Sequence, residues 1–362
     1  MTTQKHAVDL PGMPRAALAA WLRENGVPES HARGLWRSLH VLGETPARAL
    51  ECLPEKHRGR LAPLCETPRP EILRESAGGD GLTRKFLLRL ADGARIETVL
   101  MRYDGRATAC LSTQAGCAMG CVFCATGRLG LRRNLTAGEI VAQALVAREA
   151  LGGAGERLRN VVLMGMGEPL ANYDNVRDAV EILCDSGGLA LRRARVSLST
   201  VGIVPGILRM AAEPRPVSLA VSLHAASQEE RAALIPAARR WPLDSLLQAC
   251  REYSRAARRK VFFEWTLIHG RNDTPDSART LAALLRGLDA HVNLIPLNPV
   301  AGFGGRPGGS EAARQFQEIL RRAAIPSTLR QYRGLDIAAG CGQLAAGGVH
   351  PARREPGFTG AD

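Results

Sequence analysis

The sequence contains no run approaching the roughly 20 consecutive apolar residues of a membrane-spanning helix. Its opening residues, MTTQKHAVDLPGMPRAALAAWL, lack the basic end, apolar stretch and small-residue cleavage site of a secretory signal. Both absences lead us to expect a cytoplasmic protein without a membrane partner. No repeat of fixed period is evident. An even, spaced cysteine framework is missing too: the nine cysteines are an odd number, and three of them crowd together as Cys117, Cys121 and Cys124. Such usage excludes a secreted disulfide scaffold and, in a reducing compartment, points to a metal centre or catalytic thiols.

What is present begins with charge. The 362 residues carry 48 Lys plus Arg against 35 Asp plus Glu, a net charge of +13. That excess attracts phosphate-rich partners through counterion release, so nucleic acid is an expected partner, although an Arg-rich proteome alone can give such a balance. A single α/β barrel takes about 200–250 residues, which leaves room for a small accessory region.

Residues 1–75 read as helical segments broken by Pro and Gly, with few β-branched residues. Around Gly78, Gly79 and Gly81 the pattern turns strand-like, and Asp92-Gly93 supplies a hairpin turn inside KFLLRLADGARIETVLMR. From Cys117 to about Arg333, short apolar strands (NVVLMGMG, RVSLST, VSLAVSLHA, VFFEWTLIHG, VNLIPLNP, PSTLRQYR) alternate with amphipathic helical stretches. We therefore expect an α/β fold with a mostly parallel sheet, a partial (β/α)6 barrel over 76–346, preceded by a helical accessory domain over 1–75 and followed by a loose tail over 347–362.

The chemistry-bearing motif is a C-x3-C-x2-C loop in which Phe123 immediately precedes Cys124. Three thiolates on one short loop can hold three irons of a [4Fe–4S] cluster and leave the fourth open to a small molecule. Zinc, with Cys110 as a fourth ligand, is the competing reading, although structural zinc sites usually come as two separated pairs. In M-G-M-G-E-P, glycines allow close approach of a ligand to a strand end, and Glu168 can pair with an ammonium group.

The loop and its surroundings, TACLSTQAGCAMGCVFCATG, LMGMGEPLANYDNV, LSTVGIVPG, VSLHAAS, NLIPLNP and RGLDIAAGCGQLA, resemble the RlmN/Cfr family of radical S-adenosylmethionine RNA adenine methyltransferases in order and over nearly the whole chain. The resemblance implies Cys117, Cys121 and Cys124 as cluster ligands. It implies Gly167, Glu168, Ser199, Ser222, Leu223, His224 and Asn298 as contacts to S-adenosylmethionine. Carbon 2 and carbon 8 of adenine are poor nucleophiles, and the family's answer consumes two molecules of the cofactor. One methylates a cysteine, matched here by Cys341. The other is cleaved reductively to a radical that activates the S-methyl group for addition to the base. A second cysteine, matched by Cys110, then releases the product with formation of a disulfide, and Glu97 matches the proton acceptor. Gly340 and Gly342 suggest a flexible loop around Cys341.

By the same resemblance the substrate is structured RNA, 23S rRNA with tRNA as a second target, and the reductant a flavodoxin or ferredoxin; a monomer is expected. Carbon 2 is the expected position, and carbon 8 or another RNA the alternative. A zinc or iron–sulfur RNA-binding protein is the non-enzyme rival. Arg132-Arg133, Arg192-Arg193, Arg239-Arg240 and Arg258-Arg259-Lys260 are candidate phosphate contacts. Arg128, Leu131 and Gly340 stand where the family commonly has glutamine, phenylalanine and alanine, and these departures bear on the RNA target.

Overall fold

The computed structural model describes residues 8–65, 69–152 and 156–347. Four short helices open it: α1 (Arg15–Glu24), α2 (Ala32–Arg37), α3 (Pro46–Ala49) and α4 (Glu55–Leu61). Pro14, Pro46 and Pro54 stand at or next to helix starts, where a missing N–H is no loss. Leu18, Leu22, Leu35, Trp36, Leu39 and Leu61 are all almost fully buried and join the same apolar core as the sheet behind them.

The sheet is built from strands β1 (Glu71–Ala77), β2 (Thr83–Arg89), β3 (Arg95–Tyr103), β4 (Arg106–Cys110), β7 (Leu158–Leu163), β8 (Val196–Thr200), β9 (Ser218–Ser222), β10 (Val261–Leu267), β11 (Ala290–Pro296) and β12 (Ser327–Leu329). A separate hairpin pairs β5 (Gln114–Cys117) with β6 (Gly130–Asn134). The ten strands are ordered β1-β2-β3-β4-β7-β8-β9-β10-β11-β12. The first four pair antiparallel, and every pair from β4 onward is parallel. Asp92 and Gly93 make the expected β2–β3 turn: Gly93 is left-handed at φ 77°, and the Asp92 carboxylate accepts the Ala94 N–H at 2.9 Å.

All six expected parallel strands form, and β4 precedes them, so the parallel run has seven strands. Five residues with one hydrophobic turn of alternation, RATAC, are too short to announce a strand; β3 and β7 on either side hold it in place. Crossovers between the strands carry α6 (Ala137–Glu149), α7 (Tyr173–Cys184), α8 (Val204–Ala211), α9 (Gln228–Leu234), α10 (Leu243–Ala257), α11 (Pro275–Leu284) and α12 (Ser310–Arg322), with α5 (Ala125–Arg128) directly after the cysteine loop. Thr136 and Glu139 form a capping box that fixes the start of α6. After β12 the chain returns across the sheet opening to β2 and β3, where Arg333 donates to the Arg102 carbonyl at 3.3 Å and Asp336 accepts the Gly79 N–H at 2.7 Å. The tail beyond Gly347 lies outside the described residues.

Candidate active site

Because the seven strands run parallel, residues that follow them gather at one end of the sheet, where barrel enzymes keep their sites. The cysteine loop starts there, at the end of β5. Cys117 and Cys121 are buried, Cys124 is half-buried, and all three are free thiols. Burial pushes Cys117 up to about 12 and also raises Cys121 and Cys124, while Cys117 and Cys124 each raise Cys121 further. The three sulfurs therefore share one electrostatic neighbourhood. Cys110 stands outside it, with Cys341 as the thiol that acts on it.

Beside the loop, Gly167 has φ 102°, and a Cβ there would lie 2.6 Å from the Gln114 Cβ. Only glycine lets the end of β7 approach β5 so closely. Glu168 follows, 2% exposed. Its carboxylate accepts the Leu170 N–H at 3.0 Å and the Val201 N–H at 2.8 Å. Without a cationic side chain on it, burial pushes its carboxyl up to about 7. Ser199 lies on β8, Ser222 ends β9, and buried Leu223 leads into His224. His224 adopts a left-handed φ of 58° and accepts the Thr266 N–H on Nδ1 at 2.9 Å. Burial pushes it down to about 3, so the ring is neutral with its proton on Nε2. The Phe123 ring meets it edge-on at 4.7 Å, which ties the cysteine loop to the end of β9.

The thiol pair occupies the adjoining end of the sheet. Cys110 pairs with Val99, and Val99 with Lys85, so these three side chains share one sheet face with Glu97 two residues along β3. Cys341 lies against this face. Burial pushes Cys110 up to about 12, with Cys341 adding to the shift; burial likewise raises Cys341 to about 11, with Glu264 adding. Cys341 is nevertheless exposed to solvent. The Asn298 side chain donates to the Cys341 carbonyl at 2.9 Å. The Gly342 carbonyl accepts the Ala125 N–H at 2.7 Å, one residue past the last cysteine of the other loop.

Hydrogen bonds flank Cys341 within its glycine-bordered loop. Gln343 accepts the Gly340 N–H at 3.1 Å and donates to Pro299 at 3.0 Å, and Thr126 donates to the Leu344 carbonyl at 2.6 Å. Gly342 has φ 80°, and a Cβ there would lie 2.9 Å from the Phe123 carbonyl. The glycines serve close approach. Glu97, which a pattern reading places on a solvated edge, is 1% exposed and 3.0 Å from the Lys85 ammonium.

The Radical SAM superfamily model matches residues 111–281. A "Probable dual-specificity RNA methyltransferase RlmN 2" of Opitutus terrae is 57% identical, covering 91% of this chain and 85% of the relative. A "Dual-specificity RNA methyltransferase RlmN 1" of Myxococcus xanthus is 54% identical, covering 94% and 95%. The crystal structure of a radical SAM methyltransferase from Sphaerobacter thermophilus superposes with a TM-score of 0.88 at 45% identity, covering 94% of this chain and 99% of that one. The chain belongs to the RlmN family of radical SAM RNA methyltransferases.

Membership in the RlmN family implies a [4Fe–4S] cluster and S-adenosylmethionine, and sets aside the non-catalytic zinc reading. The residues fit by the chemistry of their donors: Cys117, Cys121 and Cys124 are free thiols on one loop, with Cys117 and Cys124 both acting on Cys121, and the buried Glu168 has hydrogen-bonding capacity left for a ligand's ammonium. Three further side chains of this RlmN-family enzyme were not singled out by sequence. Arg231 on α9 is fully buried beside Cys121; it donates to the carbonyls of Val201 and Ser222 and leaves Nε and Nη1 without partners. Glu264 on β10 faces Cys341 and accepts from Asn293 at 2.8 Å. Lys85 pairs with Glu97. A buried charge inside an apolar strand was a visible signal for Glu264; an arginine in a short polar helix offers none.

The basic clusters divide by position. Arg192-Arg193 and Arg258-Arg259-Lys260 precede β8 and β10 and so lie at the opposite end of the sheet from the cysteines. Arg133 is held by Asp92 and Glu139, and Arg132 by Asp92. Arg239-Arg240 follow Pro236, which packs next to Gly120 of the cysteine loop; among the described residues neither forms an ion pair.

Proposed function

We propose that this RlmN-family enzyme methylates carbon 2 of an adenine in 23S rRNA, and of an adenine in tRNA, through a methylated Cys341. The observation that carries the proposal is the meeting of Cys110 and Cys341 beside the three-cysteine loop, from opposite ends of the barrel sequence. The relatives' description as dual-specificity enzymes supports two RNA targets.

In this reading Cys117, Cys121 and Cys124 hold the cluster. Glu168 takes the ammonium of S-adenosylmethionine, with Gly167, Ser199, Ser222, Leu223, His224 and Asn298 shaping the rest of the pocket. When bound, the cluster and two molecules of S-adenosylmethionine per turnover supply the methyl group and the reductive radical chemistry. Cys341 carries the methyl group, and Asn298 holds its carbonyl in place. Glu97 accepts the proton lost from the base, for which its carboxylate must give up a contact to Lys85 or to the Ala345 and Ala346 N–H groups that occupy it in this structure. The Cys110 thiolate attacks the Cys341 sulfur, the bond from that sulfur to the transferred methylene carbon breaks, that carbon gains a proton to become the new methyl group on the base, and a Cys110–Cys341 disulfide remains. Both thiols are protonated at neutral pH, so they must lose protons before they react.

The base must leave its stack to reach this opening, which favours a loop or an opened region of RNA. Arg239-Arg240, on the site side and outside any ion pair among the described residues, with Arg240 over the Trp241 ring, are the phosphate contacts this arrangement favours. The helices of residues 1–75 widen the RNA footprint of the barrel over 76–346. The protein works as a cytoplasmic monomer reduced by a flavodoxin or ferredoxin; no helix among the described residues is long and apolar enough to cross a membrane.

Two variants test the thiol assignment. Cys110→Ala leaves Cys341 able to add to the base with nothing to release it, so an RNA adduct on the Cys341 peptide should accumulate on denaturing gels. Cys341→Ala should give neither adduct nor product. Normal turnover by Cys110→Ala, or the same adduct from Cys341→Ala, would overturn the assignment. Mass spectrometry of adenines from treated rRNA and tRNA reads the position directly, and methylation at carbon 8 would replace carbon 2 in the proposal.

A further inference from the structure

The segment that carries Cys341 is gripped on both sides by one buried ion pair. Lys85 Nζ lies 3.0 Å from Glu97 Oε1 and donates to the Ala338 carbonyl at 3.1 Å, three residues before Cys341. Glu97 Oε2 accepts the Ala345 N–H at 2.7 Å and the Ala346 N–H at 3.1 Å, four and five residues after it. Lys85 is 5% exposed and Glu97 1%. Each charge thus spends one contact on the other and the rest on the backbone of the loop.

The gripped residues are unusual. Ala338 and Ala346 hold left-handed φ angles of 49° and 51°, a conformation that residues with a Cβ keep only where their surroundings impose it. The clamp touches the strained residue on each flank. It also borders the thiols, since Lys85, Val99 and Cys110 form one row across β2, β3 and β4. Lys85 thus spends two of its three donors, and Glu97 both of its oxygens, on partners within the fold.

We propose that Lys85 is a positioning residue that, with Glu97, forms a buried clamp setting the place of the Cys341 sulfur between Cys110 and the three-cysteine loop. This rests on the reading of Cys341 as the methyl carrier. Its test reads the loop itself and stands whether or not RNA is methylated.

The test compares Lys85→Met, Lys85→Arg and the double variant Lys85→Met/Glu97→Gln with the parent, in the full chain with its cluster reconstituted. Amide exchange of residues 338–347 and the rate of Cys341 alkylation by iodoacetamide are measured. In Lys85→Met both should rise about tenfold, equivalent to 1.4 kcal/mol of lost closure, because a freed thiol leaves the surroundings that keep it protonated. Lys85→Arg, which keeps the charge and donors, should restore slow exchange. The double variant should remain fast, and it decides the matter if Lys85→Met does not fold. In the methylation assay kcat should fall while KM for RNA holds. The clamp is overturned if a folded Lys85→Met exchanges and alkylates like the parent. It is equally overturned if the double variant returns to slow exchange, since the stranded Glu97 charge alone would then have moved the loop. Absence of methyladenine from the parent would defeat the proposed function and leave these loop measurements interpretable.

Discussion

Glu97 and Glu168 are both buried within a few per cent of full enclosure, yet they are balanced differently. Glu97 meets Lys85 at 3.0 Å. Glu168 meets the Leu170 and Val201 N–H groups and the Thr200 hydroxyl, none of them charged, and burial pushes it up to about 7. One region, β2 and β3 against the Cys341 loop, neutralises its own charge and is complete as folded. The other, at the ends of β7 to β9 beside the cysteine loop, has a carboxylate that no cationic side chain among the described residues neutralises. A buried carboxylate without a cation is costly to the fold, and a ligand's ammonium offsets that cost. The comparison separates a binding pocket from an internal latch made of the same residue type.

The largest expected effect breaks the pocket region. Alanine at Cys117, Cys121 or Cys124 should abolish the [4Fe–4S] centre after anaerobic reconstitution, whereas Cys110→Ala should leave iron and sulfide content unchanged. Chemical analysis of the four variants checks this, and loss of metal with Cys110 would move that thiol from the latch region to the pocket.

Next comes pH. The Glu168 carboxyl is raised in the folded state from 4.5 to about 7, so the folded protein holds a proton there that the unfolded chain releases. Its contribution is fully present below pH 4.5 and is lost as pH rises through about 7, an effect of roughly 3 kcal/mol. Urea unfolding of the cluster-free chain should show that loss, and Glu168→Gln should flatten it. An unchanged slope in Glu168→Gln would mean that the carboxylate is already neutralised and that the contrast with Glu97 is false.

The smallest effects sharpen the latch region. Gly342→Ala must hold a left-handed φ of 80° and meets the Phe123 carbonyl, which should cost about 1–2 kcal/mol. At Gly340, where the family commonly has alanine, a Cβ meets only the side-chain ends of Asn298 and Gln343, and roughly 0.5 kcal/mol is expected. Thermal unfolding of both variants measures the difference; equal costs would show that the loop is as loose as its glycines suggest.

Much of the pocket was legible because its signals are local. Cys117, Cys121 and Cys124 declare themselves by spacing within one loop, and the six strands after them by short apolar runs between amphipathic helices. Gly167 and Glu168 lie side by side at a strand end. The latch is different. Glu97 reads as a solvated charge on a strand, and Lys85 as another, until the pairing of β2 with β3 puts both on one face. Nor does sequence tell a glycine kept for freedom from one kept for contact, because the difference lies in a neighbour from another part of the chain. The charge clusters fail in the same way, since strand direction decides that Arg192-Arg193 and Arg258-Lys260 point away from the cysteines.

By itself, then, the sequence determined the alternating α/β order, the three-thiol loop and the identity of the residues that could do chemistry, all properties of spacing and side-chain type. The tertiary structure alone decided which of them meet: Cys110 with Cys341, Glu97 with Lys85, Arg231 with Cys121. The physical reason is that local periodicity fixes which way each segment faces, whereas contacts between distant segments depend on strand order and register, which arise only when the whole sheet assembles.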